Sequence, residues 1–219
     1  MTTNNVFFEQ LTPDNAAMLL IDHQVGTMLL GITDIDPVNL KNNALYLADV
    51  AKLFNLPTVL TTSNPNGPNG PLFPELLQAL PNVPIIDRVI INAWNDRAFV
   101  KAVEQTARPK LIMAGVTTDV CLAFPAISAV GAGYDVYAVI DASGTWNTTT
   151  QNAAVARMTQ AGVKCVNTIA IAAELQKDWT LPTAQGMGAI FAERLPNFGF
   201  VMAGLEHTAK QSSKVLLSL

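Results

Sequence analysis

The chain has 219 residues, of which 50% are hydrophobic and 14% are charged, and its formal net charge is −4. This length suffices for one well-buried α/β domain. The acidic balance argues against binding to nucleic acid or to an anionic membrane, because both require a positively charged surface. Since so few residues are charged, part of the surface is expected to be covered by other copies of the chain in a homo-oligomer.

The chain lacks the sequence features of membrane and secreted proteins. No apolar run reaches the roughly 20 residues of a membrane-spanning helix, and the N-terminal segment MTTNNVFFEQ is not organised like a signal peptide. The two cysteines, Cys121 and Cys165, are too few for a disulfide framework and fit a reducing compartment. We therefore expect a cytoplasmic protein with free thiols.

Short β-branched apolar segments alternate with segments of helix length along the chain. This alternation is typical of βαβ units and predicts a three-layer α/β/α fold with a six-stranded, mostly parallel Rossmann-like sheet. The strands are predicted at residues 17–22, 57–62, 84–88, 110–116, 135–141 and 163–168. Helices are predicted at residues 39–54, 96–106, 119–131 and 148–162, with Gly131 or Gly133 and Gly162 at helix ends.

The sheet pattern occupies residues 1–181, which we assign to one domain. Residues 182–219 are predicted to form an appended helix and tail that packs on this domain or on a neighbouring subunit, with three aromatic anchors at Phe191, Phe198 and Phe200. The last residues, 212–219, fit neither a helix nor a strand pattern, so no role follows for them.

The loop at residues 63–71 follows the second strand and is dense in Pro, Asn and Gly. Such a composition excludes regular structure and predicts a surface loop. The loop either lines a pocket or merely turns the chain, and its composition does not decide between the two.

In a parallel α/β sheet, ligands collect at the carboxyl ends of the strands, so polar residues there are candidates for function. Asp22 closes the first predicted strand, where it could act as a general base. Equally, it could be a capping or turn aspartate. Arg88 ends the third strand and could orient a carboxylate or stabilise a thiolate, although an arginine at a strand end is usually solvated or salt-bridged.

Cys121 follows the strand KLIMAGV by five residues and precedes a predicted helix. The positive end of the helix dipole favours the nucleophilic thiolate form. Thr117 and Thr118 supply capping hydroxyls, and free N–H groups of the first turn could bind an oxyanion. The alternative is a small buried core residue, the commoner fate of a lone cysteine. We assign Cys165 to the core, because it lies inside a strand pattern.

No cofactor is expected. His23 and His207 are the only histidines, and no cluster of His, Asp or Glu has metal-ligand spacing, so a metal is not predicted. The first strand is not followed by a Gly-x-Gly-x-x-Gly segment, and there is no Walker loop, which argues against nicotinamide and nucleotide cofactors.

With these residues placed, the chain resembles the isochorismatase-like cysteine hydrolases over nearly its whole length. The segments AMLLIDHQVG, LIMAGVTTDVCLAFPA and DVYAVIDASGTWN carry the resemblance, and the Thr-x-x-x-Cys spacing of the second is the most specific of them. The segments INAW and GPNGP resemble an orphan bacterial branch called YcaC-like.

The resemblance implies a catalytic triad of Asp22, Arg88 and Cys121. Asp22 would take the thiol proton, Cys121 would attack a carbonyl carbon, and water would hydrolyse the resulting acyl-enzyme. A cis peptide between Val116 and Thr117 is also implied, with the backbone N–H groups of Thr117 and Cys121 forming the oxyanion hole. Arg88 replaces the family's lysine, and because arginine keeps its proton, its role would be electrostatic or orienting.

The implied activity is cleavage of a small amide, imide or carbamoyl carbon–nitrogen bond by a homo-oligomer such as a tetramer or octamer. Asn92 and Trp94 match the segment that flanks the family's pocket and are candidate substrate-binding residues, Asn92 through its amide and Trp94 as an apolar wall, although Trp94 could equally be core or subunit interface. Two alternatives stay open. One is an oligomeric scaffold or small-molecule binder in which Arg88 marks the loss of a working triad, and the other is a vinyl ether hydrolase in which Cys121 is idle.

Overall fold

A sheet of six parallel strands forms the centre of the protein, which a computed structural model describes over residues 10–216, with the backbone alone at residues 28–30 and 211–216. The strand order is β3-β2-β1-β4-β5-β6. The strands are β1 (Ala16–Ile21), β2 (Thr58–Ser63), β3 (Ile85–Arg88), β4 (Lys110–Gly115), β5 (Asp135–Val139) and β6 (Lys164–Val166). All six lie within the predicted segments to within one residue, so the predicted fold class is confirmed.

The strand order reverses between β1 and β4, which are neighbours in the sheet. The chain builds the sheet outward from β1 to β3, returns to lie beside β1 as β4, and then builds outward the other way to β6. In open α/β sheets, the crevice at the carboxyl ends of the two strands at such a reversal is the usual ligand site. The residues that follow β1 and β4 are therefore the candidates for a ligand site.

Both central strands are buried along their whole length. Because successive strand side chains point to opposite faces, each central strand contributes to two separate cores. Met18 and Leu20 belong to the core on one face, whereas Leu19 and Ile21 belong to the core on the other. Two-sided burial explains why these segments are continuous apolar runs and not alternating patterns.

Helices cover both faces of the sheet. They are α1 (Val25–Leu30), α2 (Pro37–Leu53), α3 (Pro74–Ala79), α4 (Arg97–Gln105), α5 (Ala123–Gly131), α6 (Thr148–Gln160), α7 (Thr168–Gln176), α8 (Ala184–Arg194) and α9 (Pro196–Leu216). Side chains of α2, α3, α7 and α8 fill one core, and side chains of α4, α5 and α6 fill the other. The four predicted helices are confirmed, and Gly133 and Gly162 adopt the positive φ expected beyond helix ends.

The C-terminal segment is helical, and it forms two helices in place of the single appended helix that the sequence predicts. The break falls at Pro196, which has no N–H for helix continuation and instead begins α9. Met187 of α8 is fully buried in the core beneath α2, and Phe191 stacks on Tyr46 with ring centroids 6.1 Å apart. Helix α9 extends through most of the segment to which no pattern was assigned, and residues 217–219 lie outside the described residues.

No helix among the described residues combines the length and apolar character that crossing a membrane requires.

We expect Met187→Ala to lower the free energy of unfolding by about 2–5 kcal/mol, because truncating a buried methionine leaves a cavity. Urea unfolding at a fixed protomer concentration measures this change. Gly188→Ala is the matched control, since a Cβ at Gly188 meets no atom within 4 Å and alanine stabilises a helix. Equal stability of Met187→Ala and the unsubstituted protein would show that α8 is not part of the core.

Candidate active site

Three polar side chains meet at the carboxyl edge of the sheet, near the reversal of the strand order. Asp22 directly follows β1 with a φ of 58°, and its N–H donates to the Thr61 carbonyl of β2. Arg88 is the last residue of β3, and Cys121 lies in the turn after β4. All three predicted triad positions are therefore at the carboxyl edge of the sheet, and their side chains contact one another.

Arg88 reaches Asp22 across the end of β2. Because β2 lies between β1 and β3, two strand spacings of about 4.8 Å separate the two backbones, and only a long side chain bridges them. The Arg88 Nη2 donates to Asp22 Oδ2, and both side chains are fully buried. The Nη1 donates to the carbonyl oxygens of Ile90 and Ile91. One guanidinium thus fixes both the carboxylate and the segment after β3.

Burial raises the pKa of Asp22 from its usual range to about 6, against the lowering effect of the Arg88 charge and of hydrogen bonds from Cys121 and Arg88. At neutral pH the carboxylate is therefore mostly ionised, and close enough to titration to accept a proton. Asp22 Oδ2 is held by Arg88, whereas Oδ1 has no geometrically regular hydrogen-bond partner among the described residues. Oδ1 is the oxygen available to receive a proton.

The Cys121 thiol and the Asp22 carboxylate lie close enough for each to shift the pKa of the other. Burial raises the pKa of this thiol well above its usual range, and the negative charge of Asp22 raises it further, while the Thr117 backbone and the Arg88 charge act in the opposite direction. The thiol is therefore protonated at rest. Burial and the adjacent carboxylate therefore oppose the helix dipole, which by itself favours the thiolate.

The turn that carries Cys121 is a π-helical segment, Thr118–Leu122, which leads into α5. The Val116-Thr117 peptide before it is cis, as the family resemblance implies. The Thr117 backbone contributes a hydrogen bond that lowers the pKa of the Cys121 thiol, so an N–H group lies beside the sulfur. A Cβ at Gly115 would lie 3.2 Å from the Leu122 nitrogen, so the turn closes tightly over the end of β4.

The segment after β5 holds this turn in place. The Ser143 hydroxyl accepts from the Gly115 N–H at 3.0 Å and donates to the Val139 carbonyl at 2.8 Å, which ties β4 to β5. The Thr145 hydroxyl donates to Asp119 Oδ1 at 2.7 Å. Sequence reasoning missed Ser143 and Thr145, although both lie in the segment DVYAVIDASGTWN that carried part of the resemblance.

Gln24 attaches the loop at residues 63–71 to the residues that follow Asp22. Its buried amide oxygen accepts from the Ser63 N–H at 2.8 Å, and its nitrogen donates to the Ser63 and Gly70 carbonyls. At the other side, the Asn64 N–H donates to the Arg88 carbonyl at 2.7 Å. The loop also lines a hollow of about 300 Å³ beside Arg88, so it lines a pocket as well as turning the chain.

The side chain of His23 lies in the protein interior and bonds to the backbone. Its ring is fully buried and its Nε2 bonds to the Ala142 carbonyl at 2.9 Å, and burial lowers its pKa to about 4. The ring is therefore neutral at physiological pH. Across the residues that the structure describes, no group of three or more His, Cys, Asp and Glu side chains could hold a metal ion.

Asn92 and Trp94 make packing contacts. The Asn92 oxygen accepts from the Trp94 N–H at 3.1 Å, and its nitrogen donates to the Ser128 hydroxyl at 3.1 Å. The Trp94 ring packs edge-on against Phe99 and Tyr134. These contacts anchor the segment after β3 onto α5 and the second core.

This fold, with its polar side chains gathered at the carboxyl ends of β1, β3 and β4, is that of a Rossmann-like α/β hydrolase. Residues 16–170 match the model of the Isochorismatase domain. The chain belongs to the isochorismatase family of hydrolases, as a YcaC-type member.

Two bacterial relatives match nearly the full length. The chain is 46% identical over 205 residues to Probable hydrolase YcaC of Escherichia coli (strain K12), covering 93% of this chain and 98% of that protein. The crystal structure of that protein, described as an octameric hydrolase of unknown specificity, superposes with a TM-score of 0.88 over 92% of this chain and 98% of that chain. The structure of YcaC from Pseudomonas aeruginosa with hexane-2,5-diol and covalent acrylamide is 47% identical, with a TM-score of 0.88 over 91% of this chain and 98% of that chain.

The ionisation of Asp22 predicts the pH dependence of Cys121 alkylation. Because Asp22 is protonated below a pKa of about 6 and can accept the thiol proton only above it, the alkylation rate should rise through pH 6 and then level off. Iodoacetamide labelling followed by peptide mass spectrometry measures this rate.

Cys165 serves as the internal control, since burial raises its pKa and its polar contacts are the Thr159 hydroxyl and the Val155 carbonyl. Its labelling should keep rising into the alkaline range. A Cys121 profile that follows the Cys165 profile, with no step near pH 6, would contradict the assignment of Asp22 as the proton acceptor.

Proposed function

We propose that the protein is a cysteine hydrolase that cleaves a small amide, imide or carbamoyl carbon–nitrogen bond through a Cys121 acyl-enzyme. The observation that carries the proposal is the position of the Cys121 turn, after β4, beside the buried ion pair of Asp22 and Arg88 at the carboxyl edge of the sheet. A nucleophile beside a base that is ionised at working pH is the arrangement that acyl transfer requires.

Proton transfer accompanies the attack. Because the resting thiol is protonated, Asp22 takes its proton as the sulfur bonds to the carbonyl carbon. The carbon–nitrogen bond then breaks, and protonated Asp22 delivers the proton to the leaving nitrogen. In the second half, water attacks the thioester and Asp22 accepts the water proton. The carbon–sulfur bond then breaks to release the acid, and Asp22 returns the proton to the sulfur to regenerate the thiol.

Arg88 keeps Asp22 ionised enough to act as the base. The guanidinium does not give up its proton, so its contribution is electrostatic and orienting. Its hydrogen bond to Asp22 Oδ2 leaves Oδ1 for the proton that moves. Because these contacts are intact, they support a functional triad. They argue against the alternative of a small-molecule binder whose triad has been lost.

The oxyanion that forms on the substrate would be bound by the N–H groups of Thr117 and Cys121. The Thr117 backbone already contributes a hydrogen bond to the sulfur, which supports its placement at the reacting carbon. Preorganised backbone donors of this kind typically contribute about 10²–10³-fold in rate.

The substrate is proposed to be small and uncharged. Asp22 and Arg88 are fully buried and neutralise each other, which leaves no excess charge to bind an ionic substrate. The structure of the Pseudomonas aeruginosa relative contains a covalent acrylamide, an electrophile that adds to nucleophiles through its alkene carbon, and this supports a reactive nucleophile in this type of protein. Asn92 and Trp94 would act by fixing the segment after β3 beside the site.

The assembly is proposed to be a homo-oligomer. The octameric Escherichia coli relative supports this proposal, as does the low charged fraction of the chain. We assign residues 1–181 to the catalytic domain and residues 182–219 to a C-terminal extension. The burial of Met187 supports packing of the first part of this extension on its own domain.

Cys121→Ala should lower the turnover of any substrate found among small amides, imides and carbamoyl compounds by at least about 10³-fold, because the nucleophile is lost. Side-by-side kinetics of the unsubstituted protein and the variant test this, and Cys165→Ala should retain full activity. Full turnover by Cys121→Ala would remove the nucleophile assignment.

Two outcomes of the same screen favour the alternatives. Turnover of a vinyl ether that survives the loss of Cys121 would favour the ether hydrolase. Saturable binding of these small amides, with no turnover and no acyl-enzyme by mass spectrometry, would favour the binder.

Arg88→Met should raise the pKa of Asp22 above about 6 and move the activity profile to higher pH, because the buried carboxylate loses its counter-charge. The same change should cost about 3–5 kcal/mol of folding free energy, since it leaves an unpaired buried charge. Arg88→Lys restores the charge and should shift the profile less. Measurement of kcat/KM against pH tests this prediction. An unchanged profile in Arg88→Met would contradict the role of Arg88 in keeping Asp22 ionised.

A further inference from the structure

An apolar patch lies at the β3 edge of the sheet, directly beside the active site. The three residues after Arg88 are large and exposed, with Val89 at 79%, Ile90 at 42% and Ile91 at 62% of full exposure. Ile85 of β3 adds to them at 41%. We call these four side chains the β3 edge patch. Contiguous apolar side chains on a surface mark an interaction site far more often than scattered ones do.

The backbone of this patch holds a catalytic side chain. The Ile90 and Ile91 carbonyl oxygens accept the hydrogen bonds of Arg88 Nη1, while Nη2 of the same group binds Asp22. The segment is thus two-sided: its carbonyl groups point inward at the triad, and its side chains are exposed. Whatever packs against those side chains restricts the carbonyl groups that position Arg88.

We infer that the β3 edge patch packs against a second copy of this chain, and that this contact holds the Arg88 guanidinium on Asp22. The inference rests on the proposed homo-oligomer. It specifies which surface forms the contact between copies and which side chain that contact positions. In a closed assembly, copies of one chain cover one another's apolar surfaces.

The surroundings of the patch favour a copy of the chain over a membrane. Asp87 and Asp96 line the same hollow as Val89 and Ile90, so the nearest acidic groups would repel an anionic lipid surface. Elsewhere the chain offers a second exposed apolar surface on α9, formed by Phe200 at 82%, Val201 at 56% and Leu205 at 60% exposure. The chain therefore presents two exposed apolar surfaces suited to contacts between copies.

Val89→Asp tests the inference, and Val38→Asp is the matched control. Val38 is 68% exposed and lies in the first turn of α2, where an aspartate suits the helix dipole. Both substitutions add the same charge at an exposed valine, so circular dichroism should show both variants folded. Ile91→Lys gives a second disruption of the patch with the opposite charge.

Two readouts are measured at equal protomer concentration: sedimentation velocity and the rate of Cys121 alkylation by iodoacetamide. We expect Val89→Asp and Ile91→Lys to sediment as smaller species and to lose at least about fivefold in the Cys121 rate, the lower end of typical coupling between sites. Dilution of the unsubstituted protein until it dissociates should produce the same loss, and Val38→Asp should match the undiluted protein in both readouts.

Alkylation needs no substrate, so a screen that finds no substrate leaves this test intact. Patch variants that sediment like the unsubstituted protein would overturn the location of the contact. Variants that dissociate and keep the full alkylation rate would overturn its control of Arg88. An unsubstituted protein that is monomeric at every concentration would overturn the inference altogether.

Discussion

The buried ion pair between Arg88 and Asp22 is the interaction on which the site depends. Removing two charges from water costs several kcal/mol each, and close pairing with further hydrogen bonds is needed to offset that cost. Here the carboxylate binds Nη2 and the backbone carbonyls of Ile90 and Ile91 bind Nη1. The pair therefore constrains the ends of β1 and β3 together, with β2 between them, and the geometry of three strands is coupled to one contact.

The same burial decides where the protons are. A more exposed Asp22 would titrate far below neutral pH and would be a weak base, whereas an unpaired buried one would hold its proton and accept none. The opposing effects of burial and of Arg88 leave the pKa at about 6, within the range where a carboxylate can accept a proton and return it. The pKa of the Cys121 thiol is raised in the same way, since burial and a second negative charge beside Asp22 both disfavour the thiolate.

The sequence patterns were sufficient for the sheet, and the rule that ligands bind at strand ends placed Asp22 and Arg88 at its carboxyl edge. Local pattern alone left each candidate with a structural alternative, and only the family resemblance joined Asp22, Arg88 and Cys121 into a predicted triad. The raised pKa of the Cys121 thiol could not be predicted, since it depends on burial and on a carboxylate from a distant strand. Gln24 and Ser143 were missed for a related reason. Each acts through hydrogen bonds to backbone groups that only the folded chain brings near, and neither residue type indicates such a partner by itself.

The helices α1 and α3 were missed because six residues give too little periodicity to distinguish a helix from a loop. Helix α7 is as long as α4, but its apolar residues run consecutively from residue 169 to residue 173 and do not recur at helical spacing. The break between α8 and α9 was missed although Pro196 marks it, because the apolar residues on either side continue one helical pattern. The apolar pattern predicted a helix here, and the missing N–H of Pro196 divides that helix into two.

The contacts of Arg88 explain what an arginine contributes at the position of the family's lysine. A lysine presents one compact ammonium group, whereas arginine presents donors on two nitrogens in a rigid plane. Arg88 uses that plane to bind a carboxylate on one side and two carbonyl groups on the other. An ammonium could neutralise Asp22 equally well, but it has no fixed second arm to hold the backbone of Ile90 and Ile91. The substitution therefore links the Asp22 carboxylate to the edge of the sheet, because one side chain binds both that carboxylate and the backbone that follows β3.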